Sequence, residues 1–125
     1  MTPAVFLVLV LAGGLGAVAR FVIDDLIRSH LKTSFPWATT IINVSGSLVL
    51  GLLTGLTLTR LEPTDLSVLI GAGFLSGYTT FSTASYETVQ LIKQGRLGAS
   101  FVSGVVMLVL SVAAAVIGLG VGAAL

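Results

Sequence analysis

Long apolar stretches alternate with short polar ones along this chain. About 20 apolar residues span the hydrocarbon core of a bilayer, and four stretches reach that length: Pro3–Ile23, Phe35–Thr59, Leu66–Tyr86 and Leu97–Leu125. The polar segments between them are too short to be domains. The pattern therefore predicts one all-α transmembrane domain over residues 1–125. Its four helices are expected at about 3–23, 36–59, 65–92 and 97–124.

The third stretch is expected to be interrupted in the middle of the membrane. Glycines and hydroxyl-bearing residues are concentrated from Ser76 to Thr83, inside an otherwise apolar segment. An irregular polar backbone at membrane depth is tolerated only where protein buries it or where it lines a wet cavity. We therefore expect a helix break near 76–80, and we expect the functional part of the molecule to lie there.

The composition supports a membrane protein and excludes several other classes. Hydrophobic residues make up 55% of the chain and charged residues 9%, whereas about 25% of the residues of a globular domain are charged. A net charge of +1 gives no reason to expect a nucleic-acid partner. The absence of cysteine excludes disulfides, thiolate metal sites and thiol catalysis. Because no basic n-region precedes the apolar residues, Pro3–Ile23 is expected to be a retained span and not a signal peptide.

Small residues recur at four-residue spacing in every predicted span. Such ladders allow helix backbones to approach closely in a membrane. They can serve packing within one chain, or they can serve oligomerisation. We favour oligomerisation, because four helices have little interior to share. The ladders are Ala12 and Gly16; Ser47, Gly51 and Gly55; Gly73 and Gly77; and Ala114, Gly118 and Gly122.

Positive charges are concentrated at one end of the predicted bundle. Cytoplasmic loops carry an excess of Lys and Arg, so this bias predicts the first and third loops in the cytoplasm and both termini outside. Arg60 alone lies at the other end, against Arg20, Arg28, Lys32, Lys93 and Arg96.

Asn43 is the most conspicuous polar residue inside a predicted span. Thr39 and Ser47 lie one turn to either side of it, so the three share one stripe of the second helix. An amide can donate and accept hydrogen bonds at once. It can therefore line an ion path, or it can simply join two helices.

Three further residues allow both a structural and a functional interpretation. Phe81 can pack against neighbouring helices, or its ring edge can face an anion, because that edge carries partial positive charge. Arg20 can extend to the membrane interface, or it can make a vestibule electropositive and concentrate anions there. Glu87 can mark the interface or end a polar track.

The predicted spans contain no pair of carboxylates or histidines that could form a proton relay or a metal site. We therefore expect a protein that is not an enzyme. The residues favour passage of a small ion along hydroxyl, amide and ring-edge donors.

Three motifs of the chain resemble the Fluc (CrcB-type) fluoride channels, in the same order and at comparable spacing. They are Gly13–Phe21, Pro36–Asn43 followed by Gly46, and Gly77–Thr83 with Glu87. The resemblance covers the first three predicted helices. It implies a passive, fluoride-selective channel in the bacterial inner or plasma membrane that exports fluoride from the cytoplasm and relieves its toxicity. It also implies a dual-topology antiparallel dimer with two pores.

The resemblance assigns roles to individual residues. It implies backbone carbonyls at Ser76, Gly77 and Thr79 that hold a structural Na⁺ at the dimer interface. Arg20 would flank the vestibule. The pore-lining residues would be Asn43, Phe81, Thr39, Ser82, Thr83, Glu87 and Ser111.

The chain departs from the family pattern at several pore positions. Ala84 stands where the family commonly has a second phenylalanine. The fourth helix offers Ser103, Met107 and Ser111 where a tyrosine and two serines are usual. The antiparallel partner is therefore expected to be either a second copy of the chain or a homologue of opposite orientation.

Two alternatives to a complete channel stay open at this point. One is a small four-helix multidrug or cation transporter, which requires a membrane-embedded glutamate in its first helix; Pro3–Ile23 contains none. The other is a non-conducting partner subunit of a heterodimeric fluoride channel.

Overall fold

The computed structural model describes residues 2–31, 37–60, 62, 66–80 and 82–125, with only the backbone of Ser82 and Thr83. This described part is built of helices and their connections. In chain order they are α1 (Pro3–His30), α2 (Trp37–Leu56), α3 (Leu66–Tyr78), α4 (Ser82–Lys93), α5 (Leu97–Phe101), a π-helix (Val102–Val106) and α6 (Met107–Ala124).

Several helices have the length and the surface of membrane spans. Within the described residues, Pro3–His30, Trp37–Leu56 and Leu97–Ala124 are long and apolar enough to cross a bilayer, and Leu66–Tyr78 is a shorter apolar helix. Large apolar side chains such as Phe21 cover their outer faces. A helix that is apolar on all sides is typical of a membrane span. The prediction of an all-α membrane protein is therefore confirmed.

The first helix is longer than its apolar stretch. Thr2 caps its start by accepting a hydrogen bond from the N–H of Val5 at 3.2 Å. The helix ends at His30, whereas the apolar pattern predicted an end at Ile23. An ion pair between Asp24 and Arg28, with 2.6 Å between carboxylate and guanidinium, supports the polar final turns.

The third predicted span is interrupted inside the expected region, at Thr79 and Thr80. α3 continues through Ser76 and Gly77 to Tyr78, and the next helix begins at Ser82. Gly77 is packed so tightly on α1 that a methyl group there would overlap the carbonyl of Gly13. This close packing keeps Gly77 helical, so the described non-helical residues, Thr79 and Thr80, lie at the end of the expected 76–80 region.

The ladders of small residues are used within the chain. α1 packs on α3, and α2 packs on α6. A methyl group on Gly16 would overlap the carbonyl of Phe74, and one on Gly118 would overlap the carbonyl of Leu48. These ladders therefore no longer support the expectation of oligomerisation, because the chain's own backbone already occupies the space beside them.

Candidate functional site

The break between α3 and α4 is held by the amide of Asn43 on α2. Nδ2 of Asn43 donates to the carbonyl of Thr80 at 2.8 Å. The N–H of Thr80 donates to Oδ1 of Asn43 at 2.9 Å. The side chain of Asn43 thus pairs both backbone groups of Thr80, which lies outside the helices. Backbone groups at membrane depth need such partners because no water is available to them. Asn43 therefore has a structural partner as well as its predicted place on the polar stripe.

A cavity of about 280 Å³ lies beside this clamp. Its polar lining comes from α2, from the break and from α6. Nδ2 of Asn43 also donates to Sδ of Met107 at 3.6 Å. The hydroxyl oxygen of Ser111 is buried and has no hydrogen-bond partner among the described residues. The lining residues are Asn43, Ser47, Leu50, Thr79, Thr80, Gly104, Met107, Leu108 and Ser111.

A second polar cluster lies one turn of α2 away from the clamp. Thr39 is only 3% exposed. Its hydroxyl donates to Oε1 of Glu87 on α4. Oε2 of Glu87 accepts from the guanidinium of Arg28 at 3.1 Å. Arg28 also binds Asp24 at 2.6 Å. The negative charge of Glu87 is therefore compensated by a cation from α1.

These two clusters form one polar seam along α2, which we define by Glu87, Thr39, Asn43, Ser47 and Ser111. Thr39, Asn43 and Ser47 follow one another at four-residue spacing, so this part of the seam is about 12 Å long at 1.5 Å per residue. A seam of hydroxyl and amide groups across an apolar bundle can replace the hydration of a small ion.

The structure brings together many, but not all, of the residues singled out from the sequence. Thr39, Asn43, Glu87 and Ser111 lie on the seam. Arg20 lies on α1, about 15 Å before the end of that helix at 1.5 Å per residue. Phe81 lies outside the described residues, and for Ser82 and Thr83 only the helical backbone is described.

The three expected carbonyl donors lie at the end of α3. The hydroxyl of Ser76 donates back to the carbonyl of Ala72 at 2.8 Å, and that of Thr79 donates to the carbonyl of Leu75 at 3.1 Å. These two hydroxyls are therefore occupied within the helix end, and any ion bound here would meet backbone oxygens. Of the three donors, only Thr79 lies beyond the last helical residue.

Sequence reasoning missed the contribution of Arg28 and Asp24. Both lie beyond Ile23, where the apolar pattern ends the first predicted helix. Their four-residue spacing, with the acid first, is the arrangement that favours an ion pair on a helix. That spacing was the available signal for a charged continuation of α1.

Comparison with known proteins gives one consistent result. The family model described as "CrcB-like protein, Camphor Resistance (CrcB)" matches residues 7–119. A "Fluoride-specific ion channel FluC 1" of Leifsonia xyli subsp. xyli is 52% identical over 122 residues, covering 98% of this chain and 89% of the relative. A "Fluoride-specific ion channel FluC 2" of Cutibacterium acnes is 46% identical, covering 90% and 92%. Another "FluC 2", of Mycobacterium tuberculosis, is 38% identical, covering 94% and 90%.

Proposed function

The chain belongs to the CrcB-like protein (camphor resistance) family, and on that premise we propose that it is a passive, fluoride-selective ion channel of the cell membrane. It exports fluoride from the cytoplasm and so relieves its toxicity. The observation that carries this proposal is the likeness over nearly the whole chain to relatives named as fluoride-specific channels. The activity is transport and not catalysis.

The polar seam supports the proposal on physical grounds. Fluoride is a small, strongly hydrated anion, so a path through a bilayer must supply hydrogen-bond donors that replace water. The seam offers neutral donors, namely the amide of Asn43 and the hydroxyl of Ser111. Neutral donors can stabilise an anion without trapping it as a fixed positive charge would.

Charge at one end of the seam fits the same function. Glu87 would repel an anion if its carboxylate were uncompensated. Its two oxygens instead accept hydrogen bonds from Thr39 and Arg28. We assign this end of the seam as a mouth of the path, with Arg28 balancing Glu87 there and Arg20 on α1 as an additional vestibule cation.

We further propose that α3 and α4 together make a fourth crossing and that the channel is an antiparallel dimer. A second chain, either another copy or a homologue of opposite orientation, would close the cavity beside the clamp. A homologous partner would supply the second phenylalanine and the fourth-helix hydroxyl that Ala84 and Met107 do not provide in this chain.

A structural Na⁺ is proposed at the end of α3. The last carbonyls of a helix lack intrahelical partners, and the N–H of Thr80 is given to Asn43. Neutral oxygen donors suit a hard cation, so the carbonyls of Ser76, Gly77 and Thr79 fit this ion. When bound, Na⁺ would supply positive charge that fixes the broken segment.

The experiment that tests the function is fluoride efflux from liposomes containing the pure chain, followed with a fluoride electrode. We expect rapid efflux of fluoride with no matching release of chloride. Liposomes that retain their fluoride, with correctly folded protein in the membrane, would contradict an autonomous channel. Efflux restored only by adding a homologous chain would identify a partner subunit.

A further inference from the structure

Asn43 has two amide hydrogens, and they are committed unequally. One is given to the carbonyl of Thr80 at 2.8 Å, and the other to the thioether of Met107 at 3.6 Å. The thioether is a weak acceptor. The bond to Thr80 holds the helix break, so the N–H that faces Met107 is the one that Asn43 can give to a ligand without releasing the backbone.

Met107 is a flexible hydrogen-bond acceptor that lies in the cavity beside Asn43. Its side chain lines the same cavity of about 280 Å³ as Asn43 and Ser111. Methionine is unbranched and adapts its shape through three rotatable bonds. Ser111, four residues further along α6, places a buried hydroxyl without a described partner in this cavity. The cavity therefore contains the amide N–H of Asn43 as a donor, the sulfur of Met107 as a weak acceptor and the hydroxyl of Ser111 as a second donor.

The backbone before Met107 is also unusual. The π-helix Val102–Val106 ends immediately before Met107, and the N–H of Met107 donates to the carbonyl of Val102. A π-turn shifts the register of all later side chains, and such turns are frequent at functional sites. The register of Met107 and Ser111 towards α2 therefore depends on this local irregularity.

We propose that Met107 tunes the affinity of the path for fluoride: its sulfur holds the N–H of Asn43 in the fluoride-free channel and gives it up when fluoride enters. This inference rests on the proposed function. Fluoride takes the N–H from the sulfur, and the hydroxyl of Ser111 serves as a second donor in the same cavity. Met107 thereby sets the fluoride concentration at which the path fills.

Replacement of the sulfur tests this role in liposome flux. Met107→Leu keeps a similar volume and removes the acceptor. We expect the half-saturating fluoride concentration to fall about fivefold, which corresponds to roughly 1 kcal/mol at 1.4 kcal/mol per tenfold change. Leu110→Met is the matched control, because it makes the reverse exchange on an exposed face of α6 outside the cavity. It should leave half-saturation unchanged.

A direct measurement uses the fact that the chain has two methionines, Met1 and Met107. The wild-type chain labelled with ¹³C at the methionine methyl groups gives two signals, and Met107→Leu identifies one of them. Titration with fluoride should move the Met107 signal, with a midpoint equal to that of flux. The Met1 signal should stay still, and chloride should move neither.

The two proposals fail in different ways. Wild-type protein that passes no fluoride contradicts the proposed function. Wild-type protein that passes fluoride while its Met107 signal stays unmoved overturns the role of Met107 alone. A half-saturating fluoride concentration that is unchanged or higher in Met107→Leu would also overturn the role of Met107 alone. If Met107→Leu does not fold, the titration of the wild-type chain decides.

Discussion

At the scale of single residues, two side chains of the polar seam each serve two partners. Asn43 binds the backbone of Thr80 and the sulfur of Met107. Glu87 binds Thr39 and Arg28. Each of these groups therefore holds the structure together and shapes the proposed path at the same time. A useful substitution changes the path and leaves the structural contact in place, so the replacement side chain has to be chosen with both roles in view.

Asn43→Asp is expected to suppress fluoride flux. A carboxylate can still accept from the N–H of Thr80, but it can donate neither to the carbonyl of Thr80 nor to an anion, and it adds a negative charge to the path. The loss of such a hydrogen bond costs about 1–3 kcal/mol, so flux should fall by roughly tenfold or more. Efflux from liposomes measures it.

Thr54→Ala is the control for Asn43→Asp. The hydroxyl of Thr54 lies on the same helix, away from the seam, and donates to the carbonyl of Leu50 at 2.8 Å. This variant should conduct normally. Gel filtration should give the same particle size for both variants. Undiminished flux in Asn43→Asp would remove Asn43 from the path.

Arg28→Gln is expected to lower flux by removing the cation that balances Glu87. An uncompensated carboxylate repels an incoming anion, and local charge of this kind changes ion entry by roughly tenfold. Adding Glu87→Gln to Arg28→Gln should restore most of the flux, because the repelling charge is then gone as well. Efflux at low ionic strength is the measurement, since salt screens the effect.

Lys93→Gln is the matched control for Arg28→Gln, because it removes one positive charge from an exposed residue at the same end of the bundle. Its flux should equal that of the wild type. If Arg28→Gln and Lys93→Gln reduce flux equally, the effect belongs to the general charge of this end and not to the contact with Glu87.

The sequence identifies a functional position only where the evidence lies in its near neighbours along the chain. The spacing of Thr39, Asn43 and Ser47 identifies a polar stripe, because helix geometry alone places them on one face. The bond from Asn43 to Thr80 joins residues 37 positions apart. Such a pairing depends on how α2 and α3 pack, and no periodicity in the chain encodes it.

At the scale of helices, glycine determines which backbones meet. The four-residue ladders indicated the faces that allow close approach, and α2 packs on α6 through them. The ladders alone do not specify which helices pack together, since any two of the ladders would allow close packing. The π-helix Val102–Val106 was not predicted either, because the apolar pattern of this segment is the same as that of an ordinary α-helical span.

Gly118→Ala is expected to destabilise the α2–α6 pair, and Gly120→Ala is its control two residues away. A methyl group on Gly118 would overlap the carbonyl of Leu48, whereas one on Gly120 would meet nothing within 4 Å. Overpacking costs about 1–3 kcal/mol, while alanine gains up to about 1 kcal/mol in helix propensity. Thermal unfolding in detergent should place Gly118→Ala clearly below the wild type and Gly120→Ala at or above it. Equal midpoints for the two variants would show that this contact carries little of the stability.

At the scale of the whole molecule, Lys and Arg residues are distributed unequally between the two ends. Arg28 lies at the end of α1, on the side where α4 ends at Lys93. Arg60 lies at the opposite end, where its guanidinium donates to the carbonyl of Leu125. Arg20 lies well inside α1, and Lys32 is outside the described residues. Helix order alone assigns each loop to an end, so the sequence placed Arg28, Lys93 and Arg60 as the described part of the chain has them. Which end faces the cytoplasm stays a prediction.

The last prediction is that the chain, expressed alone, inserts in one orientation. An antiparallel pair of identical chains needs insertion both ways, which requires nearly balanced Lys and Arg; even without Arg20 the balance here is four against one. Because the chain has no cysteine, Ser29→Cys and Thr59→Cys mark the two ends without background. An impermeant maleimide applied outside intact cells should label Thr59→Cys and spare Ser29→Cys. The natural partner would then be a homologue of opposite bias. Comparable labelling of both positions, together with fluoride resistance conferred by this chain unaided, would establish a dimer of identical chains instead.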